Sequence, residues 1–497
     1  MISLRLRFIG TVLCALLAAL GPTACVTVGP NFSPPPDRSP AKWHSKLPDG
    51  LTSVTMTPQS LATWWATFND PVLTGLIEQA VANNLDLKSA VSRLRQARAQ
   101  RAVTQGGLFP TLSFSGSAIR SHTTTRDKMV GKQETESTLY STAFDSLWEA
   151  DVFGGLRRSL EAADRDLQAR QAALYDVLVS LTAEVALNYA TARTYQSRLD
   201  LAEANLRIQK ETFDLAESRF RAQLIGELPV QQARYAYEST ASQIPGLRTG
   251  LEEALNHLAI LLGENPGAVH ERLAERRPIP SVSFPVAVGV PSEILRRRPD
   301  IRRAEQELAA QTARIGVAVA DLYPKFYISG FLSRQGVGSV GFTDYATDAW
   351  SWGPRVSWDI FKAGALRQNV RVQTELKEQS LIAYQSAILT ALEEVENKIV
   401  AYGQEQIRRE TLASAATAAQ SALRLAQDQF KVGRIAFTDV LNAEQSLVVF
   451  QDQLAQSEGA KASDLISLFK ALGGGWTPID AASRSERNDV QRKDSSK

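Results

Sequence analysis

The sequence is short of almost everything from which a catalytic or metal centre is built. Its four histidines, His44, His122, His257 and His270, are scattered, with no cysteine or carboxylate at ligand spacing, so no metal site is expected. There is no phosphate-binding glycine loop and no nucleophile elbow, so neither an enzyme nor a cofactor is expected. Of two cysteines, Cys14 lies in a leader-like segment, which leaves Cys25 alone; the mature chain can form no internal disulfide, and packing must hold it together. An excess of charge is lacking too. Losing Arg5 and Arg7 with the leader takes Lys+Arg from 55 to 53, against 53 Asp+Glu, so no basic face is offered to nucleic acid. The apolar run from Phe8 to Leu20 is too short to span a membrane.

What is present begins with that run. Arg5 and Arg7, the apolar stretch and the small residues of GPTAC form an export signal covering 1–24. The residue left first is Cys25, preceded by Pro22, Thr23 and Ala24, and the arrangement resembles a bacterial lipoprotein signal, which implies an acylated Cys25. Val26 follows where an aspartate would retain such a protein at the inner membrane, so the outer membrane is the expected address. Pro30 and Pro34 to Pro36 then favour an extended tether, within a segment that runs from 25 to 70.

The chain says one thing twice. LFPTLSFSG (108–116) and LYPKFYISG (322–330) share Leu108/Leu322, Pro110/Pro324, Ser115/Ser329 and Gly116/Gly330, with Phe109/Tyr323 a close fifth. After each proline the period becomes two: Leu112, Phe114 and Gly116 alternate with serines, and Phe326, Ile328, Gly330 and Leu332 oppose Tyr327, Ser329 and Ser333. Further strands are expected at about 139–152, with Tyr140, Phe144 and Trp148 on one face, and at about 348–360, with Trp350, Trp352, Val356, Trp358 and Ile360 on one face. The first members should span about 110–122 and 324–334. Pro110 and Pro324 then mark helix-to-strand junctions.

Helical periods fill the rest. Leu178, Val185, Ala192, Leu199, Leu206, Phe213 and Phe220 recur every seven residues, as do Leu381, Ile388, Val395 and Tyr402, then Ala416, Leu423 and Phe430, with Arg409 interrupting. The ladders are in phase at an offset of 210, since Phe220 in LAESRF matches Phe430 in LAQDQF. Long helices are expected at 155–222 and 362–432, about 100 Å each at 1.5 Å per residue, and shorter ones at 71–107, 229–262, 293–321 and 438–472. Asp70-Pro71 supplies an N-cap and a first-turn proline. Tips at 223–229 and 432–437 reverse each long helix. The chain thus divides into repeat 1 (71–263), an equatorial linker (264–292), repeat 2 (293–472) and a polar tail (473–497).

Four strands cannot close a membrane barrel, and open edges are not tolerated in lipid, so several copies must contribute. Three would give about twelve strands around a polar lumen. The alternative is a soluble coiled-coil protein whose hairpins pack on themselves.

LRRRPDIRRAEQELAAQTARIGVAVADLYPKFYISG, WWATFNDPVLTGLIEQAVANNLDL, SLFKALGGGW and VGPNFSPPP together resemble the TolC-like outer membrane factors, in the lipoprotein branch of resistance-nodulation-division efflux systems. The resemblance covers the mature chain to Trp476. It implies a mainly α fold carrying a membrane β-barrel: two tandem repeats of β-hairpin plus long coiled-coil helices, a homotrimer, a twelve-strand outer membrane barrel, a periplasmic α-helical barrel and an equatorial belt. It further implies a passive duct for small molecules, fed by a periplasmic adaptor and an inner-membrane pump, and a periplasmic gate of acidic residues. The matching stretch VGRIAFTDVLNAEQSL has Asp439 at the first acidic position but Asn442 at the second, with Arg434 as a bonding partner. Asp439 could equally be an ordinary first-turn carboxylate, and Arg434 merely solvated. The adaptor would dock at the tips near Gly226, Gly433 and Phe437, residues that could instead pack on a neighbouring protomer. A type I protein-secretion duct keeps this fold with another client. A periplasmic adaptor should show one hairpin flanked by small β domains, which this chain lacks.

Overall fold

The computed structural model describes residues 27–476 apart from 37, 38, 55, 128, 130, 283 and 284. The leader, Cys25 and the tail from 477 lie outside the described residues. In chain order come β1 (Leu51–Thr52), α1 (Pro58–Ala62), a 3-10 turn (Trp64–Phe68), α2 (Pro71–Asn83), α3 (Leu85–Gly106), β2 (Thr111–Asp127), β3 (Gly131–Ala150), α4 (Gly155–Arg221) and α5 (Glu227–Leu261). Then follow α6 (His270–Leu273), β4 (Val286–Ala287), α7 (Pro291–Arg297), α8 (Pro299–Ala320), β5 (Lys325–Val337), α9 (Gly338–Thr343), β6 (Thr347–Ser357), α10 (Ala365–Lys431) and α11 (Phe437–Ala471). The repeat is metrical: α4 and α10 have 67 residues each, α5 and α11 have 35 each.

The compact units do not follow the repeats. One unit draws together 93–170 and 303–385 with the N-terminal segment up to Pro35, and the other gathers 36–92, 171–302 and the chain from 386 onward. Each therefore takes a piece of both copies.

The first unit holds the antiparallel sheet β2-β3-β5-β6. The second holds the parallel pair β1-β4 and the buried heptad residues, among them Val185 and Ala192 on α4 and Val395 and Tyr402 on α10. Trp64, fully buried, stacks on Phe469 with centroids 5.0 Å apart, and Tyr175 stacks on Trp476 at 4.5 Å. Asp70 caps α2 as expected, accepting from the Val72 and Leu73 amides at 2.9 and 3.3 Å. Its other oxygen accepts from the Tyr189 hydroxyl at 2.5 Å, and burial together with that bond pushes Tyr189 up to about 12. Arg193, 1% exposed, donates to the Glu275 carbonyl at 2.7 Å beside Gln196, which donates to Leu273 O, so the equatorial linker is tied to α4.

Two expected helices are each divided. The 71–107 helix breaks at Asn84, whose amide donates to Leu261 O at 3.0 Å and whose Oδ1 caps α3 at the Leu87 amide at 2.9 Å. The 293–321 helix breaks at Arg298, held extended before Pro299, with its buried guanidinium on Asp300, Glu394 and Ala471 O. The hairpin β2–β3 runs beyond the expected limits of 122 and 139, paired in register from Thr111↔Leu147 to Asp127↔Gly131. The last strand stops at Ser357, so Trp358 and Ile360 lie past it.

Candidate functional site: the sheet, its junctions and the hairpin tips

The sheet carries an apolar band on one face. Phe114, Phe144, Leu332 and Trp350 lie in register across all four strands, and each is about half exposed or more. The neighbouring rows on that face are Leu112, Ser146, Gly330, Trp352 and then Trp148, Ile328, Pro354. One step the other way, Gly116, Thr142, Arg334 and Asp348 end the band, and Arg334 pairs with Asp348 at 3.3 Å. The opposite face presents Ser113, Asp145 and Ser351, then Ser115 and Ser333, then Ser117, Ser141, Gln335 and Thr347, with Phe331, Leu147 and the outer row of Ile119, Leu139 and Val337 as its large apolar residues. Among the described residues, strands β2 and β6 are both unpaired edges. Greasy residues on one side, hydroxyls on the other and two free edges are the chemistry of an unfinished membrane barrel.

Pro110 and Pro324 sit where the two crossings were expected. Each preceding helix tightens into i→i+3 bonds, Phe109 N to Gly106 O and Tyr323 N to Ala320 O, both 3.1 Å, before the strand starts at the residue after the proline. The carbonyls left over find the same partner in both copies: Trp148 Nε1 donates to Leu108 O at 2.9 Å and Trp358 Nε1 to Leu322 O at 3.1 Å. Trp358 was expected on the lipid-facing row, and it serves the junction instead. Trp350, Trp352 and Val356, 72%, 76% and 59% exposed, hold that row in β6.

The tether is also built in, through a residue that sequence reasoning passed over. Arg158 on α4 is 3% exposed, and its guanidinium donates to Val28 O (3.1 Å), Gly29 O (3.3 Å) and Asn31 Oδ1 (2.7 Å) while pairing with Glu161 at 2.7 Å. The Val28 amide donates to Phe153 O at 3.1 Å. Gly29, at φ +89°, lies so close to Gly316 on α8 that a Cβ would come within 2.4 Å of its Cα, so only glycine fits at 29. The segment leading back to Cys25 is thereby fastened beside the β3–α4 turn.

The two tips share one hydrogen-bond pattern. Gln223 N bonds Phe220 O and Leu224 N bonds Arg219 O, both at 2.9 Å; Gly433 N bonds Phe430 O at 3.0 Å and Arg434 N bonds Gln429 O at 2.9 Å. The left-handed residue is Gly433 (φ +71°) in the second tip but Gln223 (φ +59°) in the first. Gly226 is instead the N-cap of α5. Asp439, Asn442 and Arg434 are all exposed. The Asp439 carboxylate accepts from the Ala436 amide at 3.1 Å, and no ion pair joins it to Arg434 within the chain. Phe437, expected on the docking surface, is only 5% exposed: it packs with Ala216, Val230, Ala233 and Leu441 and lies 5.1 Å from the Phe430 ring. The exposed apolar residues of the tips are Leu224, Leu228 and Val432, each two-thirds exposed or more. Two turns inward lies Glu444, which the sequence did not flag; it is 5% exposed, and burial pushes its carboxyl up to about 7.

A sheet bearing only part of a barrel, joined to paired helices of matched length, defines the class: a subunit of an outer membrane channel. The chain belongs to the outer membrane efflux protein family, whose model matches residues 76–264 and 290–474, one stretch on each internal copy. It is 35% identical over 464 residues to nodulation protein T of Rhizobium leguminosarum bv. trifolii, spanning 93% of this chain and 96% of that protein. It is 29% identical over 470 residues to the cation efflux system protein CusC of Escherichia coli O6:H1, spanning 93% and 99%. The solved outer-membrane channel OprN superposes with a TM-score of 0.80 at 34% identity, covering 91% of this chain and all of that one. CusC is named for cation efflux and OprN for an outer-membrane channel, neither for an enzyme, and the outer membrane is this chain's place of work.

Proposed function

We propose that three copies of this chain close one twelve-strand barrel, with the β2 edge of each pairing to the β6 edge of the next, and that the assembly is a passive duct for small molecules. The observation that carries this reading is the four-stranded sheet, with an apolar band on one face, hydroxyls on the other and an unpaired strand at each end. A periplasmic adaptor would dock at the tips around Gly226 and Gly433, where Leu224 and Val432 stand exposed, and an inner-membrane pump would supply the energy. Three Asp439 carboxylates would meet around the axis as a cation-attracting ring, with Arg434 of a neighbouring copy as partner and Asn442 lowering the ring's charge. An acylated Cys25 would anchor the tether in the membrane. Relatives named for nodulation and for cation efflux share this length and sequence, which supports a reading in which the cargo is chosen by the pump and not by the duct.

A deletion strain tests the reading. Sensitisation to several toxic compounds or metal ions, reversed by the wild-type gene, is the expected result; an unchanged susceptibility panel together with loss of a secreted protein would overturn it in favour of a secretion duct.

A further inference from the structure

Glu444 stands where a carboxylate is least at ease. It lies on the face of α11 that packs against α4, above the tip cluster formed by Ala216, Phe437 and Leu441. One carboxyl oxygen accepts a long bond of 3.4 Å from the Thr212 hydroxyl; the other has no partner among the described residues. A single chain already leaves it only 5% exposed, so no neighbouring copy is needed to enclose it. The α4 face opposite is neutral: Asn205, Gln209, Thr212 and Ala216 recur at helical spacing. Gln209 Oε1 and, on α5, Gln232 Oε1 are also buried acceptors without donors. The scaffold does not require an acid here, because at the offset of 210 the first copy has Arg234, which is exposed.

No charge nearby compensates Glu444. On α4, Lys210 pairs with Asp214, Arg198 with Asp452, and Arg219 lies over the Phe430 ring. On α5, Arg234 and Glu238 face solvent. On α10, Arg424 is exposed and Asp428 pairs with Lys431. On α11 itself, Asp439 is engaged with the Ala436 amide.

We infer that Glu444 is a proton-operated latch on the closed tip: protonated, it lets α11 pack dry against α4 and adds a donor to a seam with surplus acceptors; ionised, it draws water in and frees the hairpin. The inference rests on the duct reading, since a latch matters only if parting the tip helices opens a passage. The sign is fixed. Burial raises the carboxyl from 4.5 to about 7, so the closed seam is fully stabilised below about 4.5, loses stability as pH rises towards about 7, and changes no further above that.

The experiment is single-channel recording of the purified full-length protein in planar bilayers from about pH 5 to about pH 8. Wild type is expected to raise its open probability by at least about tenfold across that range. Glu444→Gln and Glu444→Leu should stay flat at the low value, whereas Glu238→Gln, on the solvent face of α5, should keep the wild-type midpoint. Amide exchange across 209–216 and 441–447, corrected for intrinsic rates, should accelerate with pH in wild type only. A pH response that survives both substitutions at 444, or disappears equally in Glu238→Gln, overturns the latch and leaves the duct standing. A protein that inserts yet conducts at no pH, whatever residue stands at 444, overturns the duct and the latch with it.

Discussion

Asp439 shows how one side chain can hold a local and a collective position together. Within the chain it is a first-turn carboxylate that ties down the Ala436 amide at 3.1 Å, which the helix start alone would explain. In a trimer the same exposed carboxylate would face two copies of itself. Asp439→Ala therefore has two separable consequences. Loss of the cap is expected to cost about 1 kcal/mol of tip stability. Loss of the ring is expected to weaken divalent-cation block of conductance in planar bilayers. Unchanged block with a loosened tip would reduce Asp439 to a cap. The sequence pointed to this residue through the resemblance of VGRIAFTDVLNAEQSL to a gate stretch with acidic positions, and the first-turn carboxylate was the other reading it allowed. Glu444 was invisible there: its spacing from Val440 and Leu447 marks it only as a seam position, and whether a partner waits across the seam depends on α4, more than 200 residues away. Phe437 was misjudged for a related reason. A phenylalanine at a tip looks exposed until α5 of the other repeat supplies Val230 and Ala233 to cover it.

At the scale of elements, legibility followed the length of the periodic signal. The heptads of α4 and α10 run through dozens of residues, so their ends were placed within about three residues of those observed. Breaks were harder. Asn84 interrupts a helix through bonds to Leu261 O and its own α3, and only the second is local. The outer part of β2–β3 has polar residues on both faces, so no alternation reveals it. It is held by register and by cross-strand pairs such as Arg120–Glu136 at 2.6 Å. The tether belongs to this scale as well, because Arg158 joins it to α4 while Gly29 meets α8. Arg158→Ala leaves the Val28 and Gly29 carbonyls without their buried donor, at a cost of about 2 kcal/mol. Amide exchange in a peptide covering 27–35 is expected to accelerate at least about tenfold while the helices stay protected. Unchanged protection would show that glycine packing alone retains the tether.

For the whole molecule, the decisive feature is what one chain leaves undone. Its sheet ends in two unpaired strands that carry exposed Phe114 and Trp350, and α10 leaves Leu389, Ile382 and Ile407 uncovered. A single copy in a bilayer would hold rows of unpaired amides and carbonyls in hydrocarbon, each costing several kcal/mol. Closure by further copies removes the edges and gives the hydroxyl-rich face a lumen to line. The measurement that bears most directly on this claim is electron cryo-microscopy of the full-length protein in lipid nanodiscs. The expected result is threefold symmetry with about twelve strands, β2 of each copy hydrogen-bonded to β6 of the next around an open lumen. A monomer whose sheet folds back on itself, or an assembly in which these edges remain unpaired, would contradict it.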